Sequence, residues 1–131
     1  MDLDIIYARA KRKRFEEIAG RHYCGADSSL IQSLNAEKKS AILGIRRDVE
    51  AFTVITGTGI LARNKEGNEV RIPFYKFLST LHQNGMNKGK MADFEFVYFG
   101  ESGNIWIKNS ATMTVLWNIS ALVEQQVSRK S

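Results

Sequence analysis

Arg9, Lys11, Arg12, Lys13 and Arg14 place five basic side chains in six consecutive positions, a density suited to binding phosphates or a run of carboxylates. The chain carries 19 Lys and Arg against 14 Asp and Glu, a net charge of +5, so everything outside this segment balances. On a helical wheel Arg9, Arg12 and Lys13 turn away from an apolar face of Tyr7, Phe15 and Ile18. Arg14 borders that face and Lys11 falls inside it. Two readings compete. Arg12–Glu16 and Lys13–Glu17 stand at i,i+4 spacing, which fits a solvated helix face with local ion pairs. The same charges also fit a contact surface, which Lys38, Lys39, Arg46 and Arg47 would extend if a second helix packed beside the first.

Other chemistry-bearing types are sparse. His22 and Cys24 are two apart, which turns them to different sides of a helix, and a structural role is the expectation for both. With two His (the other is His82) and one Cys, a closed zinc site has too few ligands without carboxylates. No pair of acids is spaced as a general acid and base. Gly57-Thr58-Gly59 has the glycines of a phosphate loop, yet a strand pattern follows it where a helix N-terminus is needed, so it reads as a turn. Phe94, Phe96, Tyr98 and Trp106, near Lys88 and Lys90, could stack bases, but alternate aromatics are also what a buried sheet face requires, and core packing is the expectation.

The elements that must position these residues change character near residue 50. Asp4 is expected to cap a helix running to about Tyr23, with Tyr7, Ala8, Phe15, Ile18, Ala19 and His22 on one face. A short turn from Ser28 or Ser29 through Leu34 follows, then a second helix from about Asn35 to Val49 with Ile42, Ile45 and Val49 buried. Strand patterns begin at Phe52–Thr56 and Ile60–Arg63, and Lys65-Glu66-Gly67-Asn68 turns the chain into Glu69–Ile72. Pro73 opens an amphipathic helix through Phe74, Phe77, Leu78 and Leu81 that ends near Asn84-Gly85. Met86 to Asp93 reads as a basic loop. Strands follow around Phe96 and Ile105, and a last one carries Met113, Val115 and Trp117. Asn118 then caps a closing helix, with Trp117 and Leu122 spaced as a hydrophobic staple. Ser128 to Ser131 are expected to fray.

Gly59–Thr80, GILARNKEGNEVRIPFYKFLST, with its hairpin and following apolar turn, resembles bacterial PH-like domains. Read with Phe94–Gln125, it also resembles the LytTR type of DNA-binding domain, which would imply DNA contacts. The terminal basic segment those contacts need has no counterpart here, and neither family covers the first 50 residues. No functional residue is carried over.

The expectation is a single α+β domain over residues 1–131, with a helical front to residue 50 and a β-rich body over 51–127. Two N-terminal helices precede a mainly antiparallel, curved sheet of about six strands, with an inserted helix and a C-terminal one. A lone cysteine, no secretory pattern and no long apolar window point to a cytoplasmic protein without a membrane span. The functional expectation is a non-enzymatic binding module with no cofactor or metal, acting through the basic helical surface on a protein partner. Nucleic acid bound at Arg9–Arg14 is the alternative, and an enzyme with an unrecognised site is the second alternative. An exposed sheet edge would allow a homodimer.

Overall fold

In the computed structural model, residues 1–84 and 95–128 are described. Helix α1 (Leu3–Arg12) is capped by Asp2, whose carboxylate accepts from the backbone N–H of Asp4 and Ile5. The expected long first helix is interrupted. Arg14 takes a left-handed backbone (φ 58°), and a short α2 (Phe15–Ala19) starts in a new phase. That break turns Ile6, Ala10, Phe15 and Ala19 into the core and leaves Ala8 in solvent, because no single 3.6-residue period joins the two segments. A single 3-10 turn, Gly20–His22, leads into the two-residue strand β1 (Tyr23–Cys24).

The expected helix over Asn35–Val49 is not present. Helix α3 (Ser29–Ala36), capped by the Ser28 hydroxyl, ends just after Asn35. Its close is a Schellman motif: the Lys39 N–H donates to the Leu34 carbonyl (3.1 Å) and the Lys38 N–H to Asn35 (3.0 Å), with Lys38 left-handed at φ 62°. Asn35 is no N-cap. Its side-chain amide clamps the backbone of Ala41, donating at 3.0 Å and accepting at 2.6 Å, and so starts β2 (Ala41–Arg46). Ile42 and Ile45 are therefore buried strand residues, and Val49 is exposed.

Strands β3 (Phe52–Thr56), β4 (Ile60–Arg63) and β5 (Glu69–Ile72) follow as expected, and the five-stranded sheet is an antiparallel meander in the order β1-β2-β3-β4-β5. Both faces of its centre are covered. Phe52, Val54 and Leu61 pack on α3 with Ile31 and Leu34. Ile42, Ile45, Ile55, Ile60 and Ala62 face the larger core on the other side. The β5 edge alternates exposed Glu69 and Arg71, charges that discourage pairing with another chain.

Helix α4 (Phe74–Asn84) matches its expected position. Strands β6 (Phe96–Tyr98) and β7 (Asn104–Trp106) form a separate two-stranded ribbon, so the count is five strands plus two and not one sheet of six. The last expected strand is instead the start of one helix, α5 (Ser110–Ser128), capped by the Asn109 side chain. Thr112, Val115, Leu116, Ile119, Leu122 and Val123 form its buried stripe at helical spacing, and Asn118 and Trp117 lie within it rather than at a cap and staple. The expectations for Met86–Asp93, Phe94 and residues 129–131 lie outside the described residues. Among the described residues no helix is long and apolar enough to cross a membrane.

Candidate functional site

Two depressions flank β1, because its two residues point to opposite faces of the sheet. Tyr23 turns toward α1 and α2, where its ring meets Phe15 edge-on at a centroid distance of 5.3 Å. Tyr7, Phe15 and Tyr23 form the aromatic floor of an open groove of about 300 Å³. Lys11 and Arg14 stand at its rim beside Glu16 and Glu17. The Tyr7 hydroxyl donates to the Ile42 carbonyl at 3.2 Å, which fixes α1 against β2. Burial pushes both phenols above their ordinary value, assisted at Tyr7 by the Asp27 carboxylate and at Tyr23 chiefly by Glu16. Both phenols therefore stay protonated near neutral pH.

The basic run is thus partly organised and partly scattered. Lys11, Arg12, Lys13 and Arg14 are exposed at the corner between α1 and α2. Arg14 is held by the Glu17 carboxylate through both Nε and Nη2. Among the described residues no acid pairs with Lys11, Arg12 or Lys13, so the expected i,i+4 pairs are absent because the helix breaks between the partners. Arg9 differs from its neighbours: it is half-buried and its Nε is shielded from solvent.

Lys38, Lys39, Arg46 and Arg47 do not extend this surface on a second helix. They lie at opposite ends of β2, a strand about 20 Å long. Lys38 and Lys39 close α3, and Lys39 pairs with Glu69 at 3.8 Å. Arg46 and Arg47 line the second depression, again about 300 Å³, with Arg21, His22, Cys24 and Asp48. His22 and Cys24 therefore meet one cavity after all, since a 3-10 turn and a strand replace the helix that would have separated them.

Their geometry is not that of a nucleophile and its base. The Cys24 thiol leans on the backbone carbonyl of His22 at 3.7 Å, and not on the imidazole. A carbonyl can only accept, so the His22 Nδ1 carries the proton it donates to Arg46 O at 3.0 Å. The imidazole also rests against Trp106 in a T-shaped contact, with centroids 5.1 Å apart. Burial pushes the Cys24 thiol up, and the Ser28 hydroxyl and Arg46 charge offset this only in part. The group is a thiol at neutral pH. Among the described residues no set of three His, Cys, Asp or Glu is placed to hold a metal ion.

The aromatic series on β6 is turned the other way from expectation. Val97 and Phe99 face the core, Tyr98 is 65 % exposed, and Phe96 is half-buried beneath two cations. The Arg47 guanidinium lies 5.6 Å and the Lys65 ammonium 5.4 Å from the Phe96 ring centre. Trp106 is buried as expected, its indole N–H donating to Glu95 at 2.9 Å. The same Glu95 carboxylate accepts from Arg47 Nε at 2.7 Å.

Arg21, Asp48 and the Tyr7/Tyr23 pair are site residues that sequence reasoning did not select. Only Arg21 left a signal, as an isolated cation beside His22; the others need the fold to bring them together. Comparison with family profiles, curated proteins and solved structures finds no match to this chain, and the likenesses noted at Gly59–Thr80 gain no support there.

Proposed function

We propose that this protein is a non-enzymatic binding module that engages an acidic segment of a partner protein at the corner between α1 and α2. The observation that supports it is a single groove with an aromatic floor of Tyr7, Phe15 and Tyr23 and cations at its rim. A peptide that carries an apolar or aromatic side chain beside carboxylates fits both features. The side chain seats on the rings, and the carboxylates meet Lys11, Arg12 and Lys13, which no acid of the described residues neutralises.

A nucleic-acid backbone suits the groove less well. Glu16 and Glu17 line it too, and a continuous phosphate chain would run into their carboxylates. Discrete peptide carboxylates can be spaced to avoid them.

The test is fluorescence anisotropy with three probes: a labelled peptide alternating Asp with Phe and Leu, random duplex DNA, and random single-stranded RNA. Each is titrated across a salt series into wild type and a variant with Lys11→Ala, Arg12→Ala, Lys13→Ala and Arg14→Gly. Glycine is chosen at 14 because the backbone there is left-handed. The expected result is saturable peptide binding that weakens about tenfold or more in the variant. Nucleic-acid binding that is tighter, falls steeply with salt and vanishes in the variant would replace this reading with the phosphate-contact alternative. Absence of binding to all three probes would remove the surface as a binding site.

A further inference from the structure

The depression on the other side of β1 carries an inference independent of the peptide groove. Its walls hold three guanidinium groups, from Arg21, Arg46 and Arg47, against the single carboxylate of Asp48. Their commitments differ. Arg47 is tied to Glu95 at 2.7 Å and stands 3.9 Å from Asp48. Arg46 uses only its Nε, which donates to the Asp48 backbone carbonyl at 3.1 Å and so holds the guanidinium in place. Among the described residues no carboxylate reaches the Nη atoms of Arg46 or any atom of Arg21.

We propose that this pocket is a binding site for a phosphate monoester dianion, gripped by Arg21 and Arg46 beside His22. Two guanidiniums facing one cavity match a tetrahedral anion with several acceptor oxygens, because each fork presents paired N–H donors in a fixed plane. The imidazole stands at the same wall in a set orientation, its Nδ1–H given to Arg46 O and its ring against Trp106. About 300 Å³ of space, open to solvent, accommodates the phosphoryl group. Cys24 does not turn the site into a phosphotransfer centre. Its thiol is kept protonated by burial and contacts the His22 carbonyl, so the pocket binds without attacking.

The anion has two sources, a phosphorylated side chain or a small phosphorylated metabolite, and the experiment separates them. The full chain is titrated by calorimetry in chloride buffer at constant ionic strength with inorganic phosphate, N-acetyl-phosphoserine amide and glycerol phosphate. Saturable binding of at least one probe below about 10 mM is expected, weakened roughly tenfold by Arg21→Gln and by Arg46→Gln. The tighter of the two esters identifies the source. Arg21 is exposed and has no partner among the described residues, so its variant tests the charge without disturbing the fold.

Asp48→Asn gives a gain in place of a loss. The Asp48 Oδ1 accepts from the N–H groups of Glu50 (2.8 Å) and Ala51 (3.1 Å), which an Asn oxygen still does, while the charge opposing the anion disappears. Binding severalfold tighter than wild type is expected. No saturable binding of any probe, or binding unchanged in both arginine variants, would overturn the proposal.

Discussion

Replacing Thr53 by Val isolates a buried side-chain hydrogen bond that ties β3 to the β6–β7 ribbon. Thr53 is fully buried on β3, and its hydroxyl donates to the Trp106 carbonyl at 2.5 Å. Phe96 and Trp106 are direct partners, and the Ile107 N–H donates to Glu95 O at 2.9 Å. That register makes the Phe96–Trp106 pair a non-hydrogen-bonded one, so the Trp106 carbonyl points away from β6 and toward β3. Valine keeps the shape and removes the donor. A buried carbonyl left without its partner costs about 1–3 kcal/mol, and the added methyl recovers less than about 1 kcal/mol. The net expectation is a loss of about 2 kcal/mol, or roughly 7 °C in Tm for a domain of this length. Urea unfolding should show a lower midpoint with an unchanged m-value, because the surface exposed on unfolding is the same. A variant as stable as wild type would refute the reasoning, since the Trp106 carbonyl would then have another donor.

Three further outcomes follow from the same geometry. Lys38→Gly should stabilise the protein by about 1 kcal/mol in urea, because the Schellman close of α3 needs a left-handed residue and Lys38 adopts that conformation with a Cβ. Gly44→Ala should destabilise by at least about 2 kcal/mol, since a Cβ there would overlap the Thr53 carbonyl oxygen and stand 2.7 Å from the Val54 Cα, forcing β2 and β3 apart. Stability should fall above about pH 10: the unfolded phenols lose their protons near the ordinary value of 10.0 while Tyr7 and Tyr23 hold theirs higher, so the unfolded state binds fewer protons there. Urea midpoints from pH 8 to 11 check this, and Tyr23→Phe should flatten the decline.

The β3–β4–β5 meander and α4 were readable because their signals are local. Gly57 to Gly59 and Lys65 to Asn68 mark turns, and Pro73 opens a helix of clear period. The misread segments are those where a residue does a job its type does not advertise. Arg14 and Lys38 hold left-handed positions at helix ends, where glycine is the usual sign, so both helix stops were invisible and the chain seemed to run on. Ile42 and Ile45 are three apart, which suits a helix stripe; a register irregularity between Ala41 and Leu43 lets β2 bury both. Met113, Val115 and Trp117 alternate like a strand, yet they sit on a helix whose burial runs from Thr112 to Val123 at helical spacing. In the candidate sites the cations were legible as residue types. Their grouping was not, because it depends on which end of β2 each one occupies.

Both candidate surfaces depend on the shortest strand in the sheet. Tyr23 supplies a wall of the aromatic groove and Cys24 a wall of the arginine pocket, and β1 holds them by pairing with only Ile45 and Gly44. A one-residue slip would exchange the two side chains between faces, placing a phenol against Arg46 and a thiol against Phe15. Two features oppose that slip. The Phe15 ring, fully buried, meets Tyr23 edge-on and leaves no comparable partner for a thiol. The His22 Nδ1–H bond to Arg46 O fixes the residue before the strand to the far end of β2. His22 therefore aligns both sites while touching only one, and losing its side chain should loosen the Tyr23 groove as well as the arginine pocket.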